Sequence, residues 1–245
     1  MKAVLLGATG GIGRALARRM AARGDQLFLL GRDEASCERS ARDLEAWGAS
    51  EPVGTARCDL LDPSSFAPAL DQAAARLGSL DTAVVSAGIF GTQEALERDA
   101  DLRHEMLTAN FVGTIGFCEA VRPRLLATGD GTLCVFSSVA GDRARRPVTL
   151  YGAAKAGLSY YLAGLDARYR REGLRTVCVK PGFVHTAMTA GLRPPPFAAE
   201  PDAVARAVLR AIDAGRPVVY TPAIWRLVML GIRMLPRAAM RRLEF

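Results

Sequence analysis

Residues 2–13 read KAVLLGATGGIG: a short apolar run passes directly into a loop carrying Gly7, Gly10, Gly11 and Gly13. Beyond it, the stretch 11–23 (GIGRALARRMAAR) places Leu16, Ala17, Met20 and Ala21 at helical spacing. A strand that ends in glycines and opens into a helix lets the backbone approach a pyrophosphate. The helix N-terminus adds unpaired N–H groups and a partial positive charge. That context separates the loop from a plain tight turn. Its spacing, Gly-x3-Gly-x-Gly, departs from the GxGxxG of the commonest dinucleotide fingerprint.

Outward from this unit the same alternation continues. Strands are predicted at 2–6, 26–30, 52–57, 81–85, 131–137, 174–180 and 216–220, and helices at 11–23, 33–47, 63–77, 98–127, 149–172 and 201–213. Short apolar runs separated by stretches long enough for right-handed crossovers predict an α/β fold, a single Rossmann-type doubly wound parallel sheet of about seven strands with helices on both faces. The 245 residues, 50% hydrophobic and 23% charged, supply one core and exclude disorder, collagen and coiled coil. Residues 1–220 read as a nucleotide-binding catalytic domain and 221–245 as its basic amphipathic extension.

No apolar run reaches the roughly 18 residues of a membrane span, and the N-terminus enters the glycine loop without a cleavage site, so no export signal is expected. Cys37, Cys58, Cys118, Cys134 and Cys178 form no CxxC pair, which fits a reducing cytoplasm. With His104 and His185 the only histidines, no metal site is expected. The net charge is +7; from Arg216 onward six arginines face one acid, so the tail carries +5 of it. A basic charge held in an apolar tail, with no nucleic-acid motif, points away from nucleic acid and towards a membrane surface.

Four further positions carry chemistry. Arg32 follows the second strand, where a dinucleotide sheet meets the adenosine ribose; an arginine there pairs with a 2′-phosphate and favours NADP, although Asp33 beside it leaves NAD open. Asp59, after the third strand, reads either as a contact to the adenine amine or as an N-cap. In Tyr151-Gly-Ala-Ala-Lys155 the two polar side chains share a helix face, so the ammonium is expected to lower the phenol towards the range of a general acid/base. Ser138, at the end of GTLCVFSS, stands at the carboxyl edge of the sheet, where a hydroxyl can bind a substrate carbonyl or cap its own turn.

Together, Gly7-x3-Gly11-x-Gly13, Ser86-Ala-Gly88, Asn110, Ser138, Tyr151-x3-Lys155 and Pro181-Gly182 resemble, in order and spacing, the short-chain dehydrogenase/reductase family over residues 2 to about 190. The resemblance implies Tyr151 as proton donor or acceptor at the substrate oxygen, Ser138 orienting that oxygen, Lys155 binding the nicotinamide ribose and Asn110 holding a water of the proton relay. It implies a cofactor held by Gly7, Thr9, Gly10, Gly11, Ile12 and Gly13, by Arg32, Asp59, Ala87 and Gly88, by Tyr151 and Lys155, and by Pro181, Gly182, Val184 and Thr186. Leu6 and Ser86 depart from the family's usual threonine and asparagine, which puts the bracing of the cofactor loop in question. Dimers or tetramers through 98–127 and 149–172 are implied as well.

The tail, TPAIWRLVMLGIRMLPRAAMRRLEF, allows about 20 Å of helix between Pro222 and Pro236, too short to span a bilayer. Arginines on one face and apolar residues elsewhere read as a peripheral membrane or lipid-substrate element over 223–242, or as a helix packed in the core or a dimer. The tail also resembles a bacterial branch that includes reductases of polyprenyl-phosphate-linked keto-sugars. The loop 190–197 is expected to fold over the substrate. Arg143, Arg145 and Arg146 read either as a greeting for an anionic substrate or as a solvated loop, and His185 as a substrate-tuning or structural residue. The leading function is an NADP(H)-dependent, or NAD(H)-dependent, interconversion of a small-molecule carbonyl and a secondary alcohol. An epimerase or dehydratase, or a non-catalytic nucleotide sensor, are the alternatives.

Overall fold

A computed structural model describes residues 1–242. Its strands are β1 (Lys2–Leu6), β2 (Gln26–Gly31), β3 (Gly54–Arg57), β4 (Thr82–Val85), β5 (Gly131–Phe136), β6 (Leu174–Pro181) and β7 (Val218–Thr221). They form one sheet in the order β3-β2-β1-β4-β5-β6-β7, parallel throughout. The chain leaves β1 towards β2 on one side and later returns to β4 on the other. This reversal opens a crevice at the carboxyl ends of β1 and β4.

Alternation along β1 assigns the two layers. Val4 and Leu6 face α3 (Phe66–Leu77), α6 (Thr114–Leu126) and α7 (Thr149–Tyr169), through Leu70, Phe117, Leu158 and Leu162. Ala3 and Leu5 face α1 (Gly11–Ala22), α2 (Glu34–Ala46) and α8 (Pro201–Asp213), through Leu16, Met20, Leu44 and Val208. Both faces are therefore dry, which explains why the strands read as nearly continuous apolar runs.

The stretch predicted as one helix over 98–127 is helical from Ala100 to Leu126 with a π turn inside it, and a separate short helix precedes it. Thr92 caps α4 (Gln93–Arg98) by accepting from the Ala95 N–H, and Asp99 caps α5 (Ala100–Leu107) by accepting from Asp101 and Leu102. Two N-caps so close in sequence end one helix and start the next. A wider π turn over Thr108–Gly113 then leads into α6. Gly113 is packed against the Leu60 backbone so closely that a Cβ there would lie 1.9 Å from the Leu60 carbonyl oxygen. The tail forms α9 (Ile224–Met234) and α10 (Arg237–Met240), and the last three residues of the predicted extension 221–245 lie outside the described residues. Among the described residues no helix is long and apolar enough to cross a membrane.

Candidate active site

A cleft of about 1150 Å³ lies along the carboxyl edge of the sheet, and every residue assigned above to catalysis or cofactor binding lines it. At its β1 end the loop is built for close approach. Gly7 has φ +100°, and a Cβ on it would meet the Ala87 nitrogen at 2.4 Å; one on Gly13 would meet the Gly7 oxygen at 2.2 Å. A Cβ on Gly10 would meet nothing, and as N-cap this residue leaves the first turn of α1 without any side-chain cap. Unpaired N–H groups at an open glycine ledge fit a pyrophosphate. Where Leu6 and Ser86 depart from the family, Ser86 Oγ donates to the Gly7 carbonyl at 3.1 Å, so the loop is braced from β4. Across the cleft, Thr186 approaches Gly11, its methyl 3.3 Å from where a Cβ would stand.

Around the end of β2 the acids are already engaged. Asp33 accepts from the Ser36 N–H at 3.2 Å and Oγ at 2.7 Å, capping α2. Asp59 accepts from the Leu61 N–H at 3.0 Å. Arg32 remains 69% exposed, its nearest acid Glu105 at 3.6 Å.

The catalytic set forms where β5 meets α7. Ser138 starts a short turn, Val139–Gly141, and its Oγ accepts from the Ala140 N–H. Gly141 and Gly152 let that turn press onto α7: a Cβ on Gly152 would lie 2.8 Å from the Ala140 oxygen. Tyr151 stands edge-on to Phe90, with ring centroids 5.2 Å apart. Burial pushes its phenol up to about 12, and the neighbouring Ser138 hydroxyl pulls the other way. Lys155, itself buried, has its ammonium 5.7 Å from the Tyr151 ring centroid and donates to the Phe136 carbonyl at 2.9 Å. Burial pulls Lys155 down to about 8. The direction expected for the phenol is thus reversed in the protein alone. Desolvation outweighs an ammonium whose proton is spent on a backbone carbonyl.

Asn110 is fully buried in the π turn. Its side chain accepts from the Ile89 N–H at 2.8 Å and donates to the Ile89 carbonyl at 2.6 Å. Both side-chain groups therefore pin the loop beyond β4. Gly88 lies against this contact, where a Cβ would meet Asn110 Oδ1 at 2.7 Å.

The other end of the cleft holds residues the sequence did not single out for it. Trp225 and Met229 of α9 are buried against Val139, with Val228 and Ile232 packed beside them, and Trp225, Val228 and Ile232 line the cleft. Their spacing of three, four and seven is the sequence signal that marks this face. Trp225 packs directly against Gly182, where a Cβ would fall 2.0 Å from the indole nitrogen. Leu192, Pro195, Pro196 and Phe197 of the predicted lid also face the cleft. The three arginines before α7 separate: Arg143 donates to the Leu235 carbonyl at 2.9 Å, Arg145 lines the cleft, and Arg146 is exposed outside it. His185 is exposed, edge-on to Phe183, and does not line the cleft. All five cysteines are buried free thiols.

A doubly wound parallel sheet with a glycine ledge at its switch point and serine, tyrosine and lysine side chains on one cleft is a Rossmann-type architecture with polar groups gathered at the edge of the sheet where ligands bind. The short chain dehydrogenase family model matches residues 1–196. An uncharacterized oxidoreductase of Mycobacterium tuberculosis is 36% identical over 240 residues, covering 98% of this chain and 96% of that protein. Another from Streptomyces coelicolor is 36% identical over 243 residues, covering 98% and 94%. Among solved structures, a short-chain type dehydrogenase/reductase from Mycobacterium ulcerans superposes with a TM-score of 0.83 at 20% identity, covering 98% of this chain and 97% of that one. Levodione reductase superposes with a TM-score of 0.80 at 24% identity, covering 89% and 94%. The chain belongs to the short-chain dehydrogenase/reductase family, whose members are oxidoreductases that typically bind NAD(P).

Proposed function

We propose that this protein interconverts a carbonyl and a secondary alcohol with NADP(H), using Tyr151 as general acid/base. The observation that carries the reading is the convergence of the Tyr151 phenol, the Ser138 hydroxyl and the Lys155 ammonium on the cleft that the glycine ledge opens. A bound nicotinamide supplies or accepts the hydride. Ser138 orients the substrate oxygen, and Tyr151 gives or takes its proton. Lys155, held by the Phe136 carbonyl, keeps a positive charge near the developing phenolate. Asn110 holds the Ile89 turn beside the proton path. Arg32, 69% exposed with a loose ion pair to Glu105 at 3.6 Å, supports NADP, and the capping of α2 by Asp33 engages the nearest ribose acceptor. The test is oxidation of NADPH and of NADH, followed by absorbance with a panel of ketones and keto-sugars. Turnover with NADPH is expected; hydride exchange without net oxidation would favour the epimerase.

Two finer assignments belong to the same reading. The outer face of α9 leaves Leu227, Leu230 and Met234 exposed beside Arg226 and Arg233, which suits an anionic bilayer surface at the cleft mouth. Partitioning onto vesicles of anionic but not neutral lipid, lost in Leu227→Gln/Leu230→Gln, is the expected result. Exposed Val112 before α6 and Tyr160 on α7 suit contact with a second copy, to be read by sedimentation.

A further inference from the structure

Among the cleft-lining cations of the described residues, the chemistry above leaves Arg145 and Arg193 without a task, and of the two only Arg145 is partly buried. Lys155 donates to the Phe136 carbonyl, Arg32 lies near Glu105, and Arg193 is exposed on the lid. Arg145 has its Nε buried without a hydrogen-bond partner, and no acid among the described residues forms an ion pair with it. Among the described residues, the acid that lines the cleft's substrate side, Glu94, is exposed and makes no such pair. Burial holds the guanidinium below its usual range with no opposing carboxylate. Holding a partly buried guanidinium with an unpartnered Nε is costly, and that cost is recovered when an anion of matching geometry arrives. The cofactor's phosphates are provided for elsewhere, by the start of α1 and by Arg32.

We propose that Arg145 binds an anionic group, a phosphate or carboxylate, carried by the substrate, and that the substrate's apolar remainder lies along Trp225, Val228 and Ile232 beneath the lid. The assignment rests on the reductase reading only for which end of the substrate reacts. Arg145 precedes α7, which carries Tyr151, and Pro147 and Val148 beside it also line the cleft, so an anion held there stands on the catalytic side. The α9 wall is apolar along the faces of Trp225, Val228 and Ile232, which suits a hydrocarbon better than a second polar group.

Calorimetry with octyl phosphate, inorganic phosphate and octanol, each with and without saturating NADPH, tests this without requiring turnover. Octyl phosphate is expected to bind wild type at least tenfold more tightly than Arg145→Gln, with Arg145→Lys between them. Octanol is expected to bind both alike. Arg32→Gln is expected to leave octyl phosphate affinity unchanged. Because an unpaired charge is being removed, Arg145→Gln is expected to melt no lower than wild type. Equal octyl phosphate affinity in wild type and Arg145→Gln, absence of binding to either, or loss through Arg32→Gln instead would each overturn the proposal. Inorganic phosphate bound as tightly as octyl phosphate would overturn the apolar half of it. A chain that binds octyl phosphate through Arg145 yet reduces no carbonyl would fail the reductase reading alone.

Discussion

The two ends of the cleft are made from different materials. At the β1 end, recognition is built from backbone: glycines whose missing side chains admit a phosphate, and N–H groups at the start of α1. At the far end it is built from side chains brought in by distant segments, with α9 and the loop before α7 meeting over Val139. Backbone recognition suits a ligand whose shape is fixed. Side-chain walls can be exchanged without disturbing the sheet. On the proposed function, cofactor and substrate selectivity would then be separable, since the two ends of the cleft share no element but the sheet edge.

The largest effect that would sharpen this contrast comes from the centre. Tyr151→Phe keeps the ring against Phe90 and removes only the hydroxyl; kcat is expected to fall by about 10³-fold while the cofactor dissociation constant stays put, read by steady-state kinetics and nucleotide titration. At the backbone end, Gly13→Ala forces a Cβ within 2.2 Å of the Gly7 oxygen, so nucleotide affinity is expected to weaken by roughly tenfold or more by fluorescence titration, with α9 contacts untouched. Unchanged affinity would break the claim that this loop needs close approach. Arg32→Gln is expected to cost about tenfold in kcat/KM with NADPH and little with NADH. The smallest effect is a slope. Lys155 has a folded value of about 8 against an ordinary 10.5, so the unfolded chain binds more protons at this group between those values and its own contribution to stability rises with pH across that window. The five buried thiols, all raised by burial, and above pH 10 the raised phenol of Tyr151 act in the opposite sense. Urea melts of wild type and Lys155→Met are therefore compared at each pH, and wild type is expected to gain stability relative to Lys155→Met as pH rises from 8 to 10.5.

Much of this architecture is legible in the residues. Every predicted strand overlaps an observed one, because buried parallel strands read as apolar runs between helical periods. The boundaries that slipped did so for local reasons: Thr92 and Asp99 cap a short helix ahead of the predicted 98–127 and the start of the next, which hydrophobic pattern alone does not separate. The spacing of Tyr151 and Lys155 predicts a shared helix face, and the structure supplies one. It does not predict that the ammonium points to the Phe136 carbonyl, since that oxygen belongs to another element. Ser86 looked like a lost contact and instead carries the bracing of the glycine loop from a different strand. The tail reads as amphipathic, but which face turns inward is invisible until Trp225 meets Gly182.

The sequence by itself determined the parallel sheet, the ledge at its switch point and the family, because periodicity, glycine conformation and residue spacing are local properties of the chain. Only the tertiary structure decided the direction in which Tyr151 and Lys155 titrate, the two-sided use of α9 and the unpartnered Nε of Arg145. Those depend on desolvation and on which remote segments close over a group, and neither quantity exists until the elements have packed.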